Sequence, residues 1–182
     1  YRLHFEPHHR RVMELGQEEV FGPVERIEAG FAFHLGHPSE PHVAWRLDKE
    51  MAGGGALVDI GIYTIQAARY TTGEEPLAVA TATESKTEPE KFHEVDETVH
   101  FELEFPGGAR AVCDTSYTDQ YDRLHVAAED GWFTVQPAFN YSHQTGRTSA
   151  GPMDLPAVNQ QARQMDGIAR SIQQGEPSRV PG

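Results

Sequence analysis

A carboxylate and a phenol stand four positions apart in the largely apolar residues 53–73, which read GGGALVDIGIYTIQAARYTTG. If this stretch is helical, Asp59 and Tyr63 lie one turn apart on one stripe. Gln66 and Tyr70 continue that stripe. Burial forces a carboxylate to find partners or change its pKa, so such a pair could orient a substrate and move a proton. From spacing alone a helix cap and a core tyrosine are the commoner interpretation.

The three glycines that open this stretch could present free backbone amides to a phosphate group. A dinucleotide fingerprint, G-x-G-x-x-G/A, follows an apolar strand, whereas the charged WRLDKEMA precedes these glycines and Val58 takes the sixth position. The pattern G-x-x-x-x-G-K-[ST] is also absent from the sequence. The chain is therefore predicted to bind no cofactor by itself.

Composition excludes several classes of partner. With 28 acidic and 15 basic residues the formal net charge is −13, which would repel nucleic acid. Hydrophobic residues make up 38% and are too dispersed for a membrane span. Cys113 is the single cysteine, which excludes an intrachain disulfide and a cysteine-based zinc site, and we expect it in the core. A cytoplasmic location is expected, with a periplasmic one left open.

The hydrophobic pattern predicts an α+β fold. A helix is expected from Pro7 to Leu15, another at about 55–72, and an amphipathic one that closes at Gly175. Strands are predicted within 24–35, 77–85, 95–105, 109–117, 122–128 and 132–136, and loops over 35–52 and 143–155. Short connections favour antiparallel order, giving an open, mostly antiparallel β-sheet with helices packed on one face. If its second face is also apolar, another subunit or domain must cover it.

Four segments together carry a family resemblance: GPVERIEAGFAF, WRLDKEMAGGGALVDIGIYTIQAARYTTGEEP, KFHEVDETVHFELEFPGGARAVCDTSY and GWFTVQPAFNY. They resemble the C-terminal half of the glucose–fructose oxidoreductase, inositol dehydrogenase and MocA (Gfo/Idh/MocA) family of sugar dehydrogenases. The glycine-rich D-x-G-x-Y segment is the most specific part. Tyr63 places the chain closest to the glucose–fructose oxidoreductase branch, since inositol dehydrogenases usually carry histidine there.

The resemblance implies a two-domain enzyme in which an N-terminal Rossmann domain binds NAD or NADP. Residues 1–182 would be the single C-terminal substrate-binding and oligomerisation domain of an NAD(P)-dependent sugar or polyol oxidoreductase. The Rossmann domain and the family's Glu-Lys-Pro lysine would lie upstream of Tyr1, so this piece is expected to be inactive in isolation. A homo-oligomer is expected to form through the open sheet face.

The same resemblance assigns roles to residues. Tyr63 matches the family's proton-transfer residue, and Asp59 matches its acidic partner, which would hold the missing lysine and orient the sugar. As a further hypothesis, Arg46 with the adjacent Trp45, and Arg2 near the start, are expected to contact the substrate.

Two other function classes stay open. Ten histidines, including His4, His8 and His9 and the loop residues His34, His37 and His42, could form a metal-binding module, although Pro7 breaks any helical spacing between His4 and His8. No metal ligand is assigned. Alternatively, the chain is a non-enzymatic dimerisation domain, in which the polar helix stripe is a relic.

Overall fold

One eight-stranded sheet forms the framework of the computed structural model, which describes residues 1–180. The strand order is β2-β3-β4-β1-β5-β6-β7-β8. The strands are β1 (Val24–Ala32), β2 (Ala78–Ser85), β3 (Thr98–Glu104), β4 (Arg110–Ser116), β5 (Tyr121–Ala128), β6 (Gly131–Val135), β7 (Gly146–Thr148) and β8 (Gly151–Met153). The predicted fold class, an open and mostly antiparallel α+β sheet, is confirmed.

One pair of interior strands departs from the predicted antiparallel order, because β1 and β4 run parallel, with Ile27 opposite Ala111 and Ala29 opposite Cys113. All other neighbouring strands are antiparallel. The prediction considered only short connections between consecutive strands. Helices and two further strands separate β1 from β4 in the chain, and such a long crossover permits parallel pairing.

Helices cover one face of this sheet, as predicted. The helices are α1 (Pro7–Gln17), α2 (Pro41–Leu47), α3 (Lys49–Ala52), α4 (Ile62–Thr72) and α5 (Gln160–Gln174). A 3-10 turn, Arg2–Phe5, precedes α1, and a π-helical turn, Leu57–Gly61, leads into α4. α1 and α4 pack on each other so closely that a Cβ on Gly16 would lie 2.2 Å from the carbonyl oxygen of Thr71.

Two predicted loops contain regular structure, so both predictions are wrong in part. Residues 35–52 include α2 and α3, because Pro41 suits a first helical turn and the Asp48 side chain accepts from the backbone N–H of Met51 at 3.0 Å. Residues 143–155 include the short hairpin of β7 and β8. Strands of three residues that contain glycine and proline give no alternation to detect.

The core divides into two clusters. The larger one lies between the sheet and the helices α1 and α4 and includes Ile27, Phe101, Leu124 and Phe133. Cys113 belongs to it, as predicted, and burial raises the pKa of its thiol to about 12. The smaller cluster consists of Leu35, Val43, Ala56, Ile60, Phe92, Val95 and Tyr117, and it supports the segments around the π-helical turn.

The second face of the sheet is polar rather than apolar. His100, Asp114 and Arg123 lie in one row across it, and the Asp114 carboxylate is 2.6 Å from His100 Nδ1 and 3.0 Å from an Arg123 nitrogen. Gly30 of β1 lies in the same row, and a Cβ there would come within 3.1 Å of the Arg123 guanidinium carbon. An apolar second face would have required another subunit or domain to cover it. Because this face is polar, that requirement does not arise, and the homo-oligomer stays a prediction.

Candidate active site

The three glycines at 53–55 form a turn, called the glycine turn below, that leads into the π-helical turn and α4. This turn makes a close contact with Asp96, which lies just before β3. The Asp96 carboxylate accepts hydrogen bonds from the backbone N–H groups of Gly55 (2.8 Å) and Leu57 (2.7 Å). A Cβ on Gly55 would lie 1.9 Å from the backbone oxygen of Asp96, so only glycine fits there. The amides that a phosphate would need are thus occupied by a protein carboxylate.

A cleft of about 350 Å³ opens beside this turn. Its lining residues are Tyr1, Trp45, Arg46, Ala52, Gly54, Val58, Asp59, Ile62, Tyr63 and Tyr117. The structure therefore brings together four of the five predicted site residues, Asp59, Tyr63, Arg46 and Trp45. They come from α2, the π-helical turn and α4.

Asp59 is held by two partners on one oxygen. Arg46 Nε donates to Oδ2 at 2.9 Å, and the Tyr117 hydroxyl donates to the same oxygen at 2.8 Å. Burial and then the Asp59 carboxylate raise the pKa of Tyr117, so this phenol stays protonated and acts as a donor. Within residues 1–180, Oδ1 of Asp59 has no hydrogen-bond donor, which leaves it able to accept one from a ligand.

Tyr63 is fixed by its ring and open at its hydroxyl. Its ring packs against Tyr1, Phe31 and Phe139, with centroid distances of 5.5, 5.4 and 6.0 Å. The residue is partly exposed, and in the described part of the chain its hydroxyl has no hydrogen-bond partner. A rigidly packed phenol with a free hydroxyl at a cleft wall is able to exchange a proton with a bound molecule.

The helix predicted at about 55–72 is not a regular α-helix in its first turn. Residues Leu57–Gly61 are π-helical, and this wider turn changes the angle between Asp59 and Tyr63 relative to an α-helix. Both side chains still line the same cleft.

Trp45 and Arg46 form the side of the cleft contributed by α2. The Arg46 guanidinium carbon lies 4.4 Å from the centroid of the Trp45 ring, and Trp45 is 37% exposed. Together they present a flat apolar ring beside a charged group. Such a surface suits a molecule with both C–H and hydroxyl faces.

Arg2 lies outside the group of cleft-lining residues. It is 8% exposed, and its terminal nitrogens donate to the carbonyl oxygens of Phe139 and Asn140 and to the side chain of Gln160. Its guanidinium carbon also lies 5.5 Å from the centroid of the Tyr63 ring. These contacts favour a structural role behind Tyr63, and substrate contact by Arg2 stays a prediction.

Sequence reasoning missed two aromatic residues of the cleft, Tyr117 and Tyr1. The alternation of β4 places Cys113 and Thr115 toward the helices and continues to Tyr117, so a signal existed. For Tyr1, burial raises the pKa, and its hydroxyl is buried with no partner in the described residues. No sequence signal identifies that position.

A larger surface depression, about 790 Å³, lies between residues 36–38 and 88–91. None of the predicted site residues lines it. Lys91 there is engaged by Glu88 at 3.5 Å and by the carbonyl oxygen of Leu35 at 3.3 Å. We therefore identify the candidate site by its chemistry rather than by volume.

The histidines are dispersed among local partners. His8 contacts Glu6 at 3.0 Å, and the ring nitrogens of His9 contact the Tyr70 hydroxyl and the carbonyl oxygen of Ala138. Across residues 1–180, no group of three or more His, Cys, Asp or Glu side chains is arranged to hold a metal ion. Nor does any helix in that range have the length and apolar character needed to cross a membrane.

Comparisons with known proteins identify the family to which the fold belongs. Residues 9–134 match the model of the GFO/IDH/MocA C-terminal domain. D-xylose 1-dehydrogenase [NADP(+)] of Haloarcula marismortui is 36% identical over 148 residues, which cover 76% of this chain and 39% of that protein. D-xylose 1-dehydrogenase (NADP(+)) 2 of Haloferax volcanii is 28% identical over 99% of this chain and 54% of its own length.

A solved structure shows the same fold at similar identity. Aldose-aldose oxidoreductase from Caulobacter crescentus, complexed with glycerol, superposes with a TM-score of 0.90 at 36% identity. The match covers 99% of this chain and 54% of that one, so the chain spans about half the length of such relatives. The chain belongs to the GFO/IDH/MocA oxidoreductase family and corresponds to its C-terminal domain.

Proposed function

We propose that this chain is the substrate-binding part of an NADP-dependent oxidoreductase that acts on an aldose or a related polyol. The names of the xylose dehydrogenases and of the aldose-aldose oxidoreductase support this substrate class. Because the chain spans about half of those proteins, the remaining activity would come from a cofactor-binding domain upstream of Tyr1.

The observation that carries the proposal is a pair of unengaged oxygens on one cleft wall. Tyr63 Oη and Asp59 Oδ1 have no hydrogen-bond partners within residues 1–180, although the neighbouring Asp59 Oδ2 has two. Neither oxygen is among the buried polar atoms, so a molecule that enters the cleft can reach both without breaking a hydrogen bond of the protein. A polyhydroxylated substrate can satisfy both at once.

Each cleft residue then has a role in the proton half of the reaction. In its phenolate form Tyr63 takes the proton of the reacting sugar hydroxyl, and Asp59 Oδ1 accepts a hydrogen bond that orients the sugar. Arg46 and Tyr117 hold the Asp59 carboxylate in place through Oδ2. The Trp45 ring offers an apolar surface to the C–H groups of the sugar.

The glycine turn of this chain does not suit the phosphates of a dinucleotide, which supports a cofactor site in another part of the protein. The backbone amides of this turn bind the Asp96 carboxylate, and Gly55 and Asp96 lie too close together for a further group to fit between them. When bound by the upstream domain, the nicotinamide would accept the hydride. That domain would also cover Val58 and Ile62, which are 53% and 46% exposed at the cleft.

Oligomerisation through the open sheet face remains part of the proposal. Trp132 on that face is 37% exposed and packs against His125 with a centroid distance of 5.9 Å. Around these rings the face is charged, so a partner would need complementary charges. The mass of the chain in solution at increasing concentration tests this, and Trp132→Glu should shift an oligomer toward the monomer.

The central test replaces Tyr63 by phenylalanine in the protein joined to its native upstream segment. Loss of the proton-transferring hydroxyl should lower kcat/KM for aldose oxidation by about 10²- to 10⁴-fold. The matched control is Tyr121→Phe, on the opposite face of the sheet, which should leave the rate unchanged. Equal rates for Tyr63→Phe and the parent would favour a role for this domain in interaction rather than in catalysis.

The isolated chain supplies a second test. Residues 1–182 mixed with NADP and a panel of aldoses should give no NADPH formation above background. Robust turnover by this piece alone would contradict the proposed division of labour.

A further inference from the structure

Arg2 carries a positive charge that is buried without an ionic partner in the described part of the chain. The residue is 8% exposed. Its guanidinium donates to the carbonyl oxygen of Asn140 at 3.0 Å, and also to the carbonyl oxygen of Phe139 and the side-chain oxygen of Gln160. All three partners are neutral. A guanidinium stays charged in proteins, so a full positive charge lies inside the domain at this point.

This charge lies beside the ring of the cleft tyrosine. The guanidinium carbon of Arg2 is 5.5 Å from the centroid of the Tyr63 ring. The phenol oxygen belongs to the same ring, which places it within about 8 Å of the charge, about one Debye length at physiological ionic strength. Buried charges are screened less than exposed ones. A negative charge on the Tyr63 oxygen is therefore stabilised by Arg2.

We propose that Arg2 is a positioning residue for Tyr63. Its charge stabilises the phenolate oxygen with which Tyr63 takes the proton of the reacting sugar hydroxyl, and that proton ends on Tyr63 Oη. Arg2 acts through Tyr63 rather than by touching the sugar. This inference rests on the proposed function, because it gives Arg2 a part in the reaction proposed above.

One backbone segment holds both the guanidinium and the phenol in place. The Phe139 carbonyl oxygen accepts from Arg2, while the backbone N–H groups of Ala138 and Phe139 donate to Asp122 Oδ1 at 2.7 and 2.6 Å. The Phe139 ring in turn packs against the Tyr63 ring, with a centroid distance of 6.0 Å. The distance between the charge and the phenol is therefore fixed by a shared support.

Asp122 is the carboxylate that opposes Arg2. Both Asp122 Oδ2 and Arg2 Nε are buried, and neither has a hydrogen-bond partner within residues 1–180. Burial raises the pKa of the Asp122 carboxyl, whereas hydrogen bonds from backbone amides and the charge of Arg2 act in the opposite direction. The two side chains thus influence each other without forming a direct hydrogen bond, and the charge of Arg2 is only partly cancelled.

The other titratable groups around Arg2 are neutral at neutral pH or are paired elsewhere. Burial raises the pKa of the Tyr1 and Tyr70 hydroxyls well above the usual value. Burial lowers the pKa of the His9 imidazole to about 4. The carboxylates that are paired elsewhere are Glu6, with His8, and Asp59, with Arg46.

The first test measures the pH dependence of kcat/KM in the protein joined to its native upstream segment. Activity that depends on a phenolate rises with pH. Arg2→Gln should move this rise upward by about 0.5 to 1 pH unit and lower the rate at neutral pH by about three- to tenfold. The loss should fall on kcat, since Arg2 does not touch the sugar. Arg2→Lys keeps the charge and should restore most of the rate and the original pH dependence.

Asp122→Asn should move the pH dependence in the opposite direction. This variant keeps an oxygen for the N–H groups of Ala138 and Phe139 and removes the charge that partly cancels that of Arg2. The rise should move downward by up to about 0.5 pH unit, a direction that damage to the packing does not produce. Gln160→Ala is the structural control, because it removes a neutral partner of Arg2. It should lower the melting temperature and leave the pH dependence unchanged.

Nuclear magnetic resonance follows the ionisation of Tyr63 without catalysis. In residues 1–182 with tyrosine labelled by ¹³C at Cζ, the Tyr63 signal is identified by its absence from Tyr63→Phe. Phenolate formation should require the lowest pH in Asp122→Asn, a higher pH in the parent and the highest in Arg2→Gln. If Arg2→Gln does not fold, Asp122→Asn and the parent still decide the order.

Three results would overturn the proposal. The first is phenolate formation at the same pH in the parent and in Asp122→Asn. The second is a shift in Gln160→Ala as large as that in Arg2→Gln, which would make the effect one of packing. The third is an increase in KM with unchanged kcat in Arg2→Gln, which would make Arg2 a sugar-binding residue.

The two proposals can fail separately. An extended protein that oxidises aldoses and depends on Tyr63, but whose Arg2 and Asp122 variants keep the parent's pH dependence, would refute the role of Arg2 alone. An extended protein without aldose activity would refute the proposed function. The resonance measurements on residues 1–182 would then still decide whether Arg2 stabilises the Tyr63 phenolate.

Discussion

The helix that begins at the cleft carries two tyrosines in opposite circumstances. Tyr63 is partly exposed, and its hydroxyl has no partner in residues 1–180. Tyr70, two turns further along, is 5% exposed, and its hydroxyl contacts His9 Nδ1. Because His9 Nε2 donates to the carbonyl oxygen of Ala138 at 2.7 Å, Nδ1 of the neutral ring accepts from Tyr70.

The difference separates a structural phenol from a chemically available one. Burial raises the pKa of Tyr70 well above its usual value, and its hydrogen bond is already satisfied. The Tyr63 ring also packs against aromatic neighbours, yet its hydroxyl is left open. Both residues are tyrosines on the same stripe of one helix. The two roles therefore differ in whether the hydroxyl has a hydrogen-bond partner in the protein.

A methyl group at the start of the helix should disturb the cleft end without touching Tyr70. In Gly55→Ala the new Cβ meets the backbone of Asp96, which cannot rotate away, so we expect a loss of about 3 kcal/mol in the free energy of unfolding. Denaturant titration measures this. Gly54→Ala is the control, because its Cβ would meet the movable side chain of Val58, and a comparable loss there would contradict the explanation.

Removing the hydroxyl of Tyr70 should lower the stability of the fold, whereas removing that of Tyr63 should not. Tyr70→Phe leaves the buried His9 Nδ1 without a donor and should cost about 1–3 kcal/mol of unfolding free energy. Tyr63→Phe removes a hydroxyl with no protein partner and should change stability by less than about 0.5 kcal/mol. Equal losses in chemical denaturation would remove the distinction between the two residues.

The buried contact between His9 and Tyr70 should also make the stability of the fold depend on pH. Burial lowers the pKa of His9 to about 4, below its usual value near 6.5, so the folded state favours the neutral ring. The stability that the neutral His9 ring contributes is therefore fully present above pH 6.5. It falls as the pH drops toward 4, by at most about 1.4 kcal/mol per pH unit for this one proton. His9→Gln should lower stability at pH 7 and flatten this slope. An unchanged slope in thermal melts between pH 7 and 4.5 would refute the role of His9.

Most of the sheet could be predicted from the sequence because its strands alternate. In β3, Val99, Phe101 and Leu103 are buried while His100 and Glu102 are less so, as the period of two requires. The parallel pairing of β1 with β4 could not be predicted this way. Alternation gives the faces of a strand but not its neighbours.

The candidate site was predictable in its residue types and less so in its connections. Asp59 and Tyr63 were predicted from their spacing and from the family resemblance, and the structure places four of the five predicted residues at one cleft, while their roles stay predictions. Asp59 pairs with Arg46 of α2, a helix that the mixed polarity of residues 35–52 concealed. It also pairs with Tyr117, which directly follows β4. The π-helical turn lies where Asp96 binds the amide of Leu57 and Gly61 comes close to Thr115, and no local sequence pattern encodes such tertiary contacts.

The central position of β1 has a consequence for biosynthesis. β1 is complete at Ala32, but both of its neighbours, β4 and β5, lie between Arg110 and Ala128. At about 5–20 residues per second, a ribosome would need several seconds to deliver those partners. During that interval the nascent chain carries a strand with two unpaired edges, which is the period when a chaperone would protect it most.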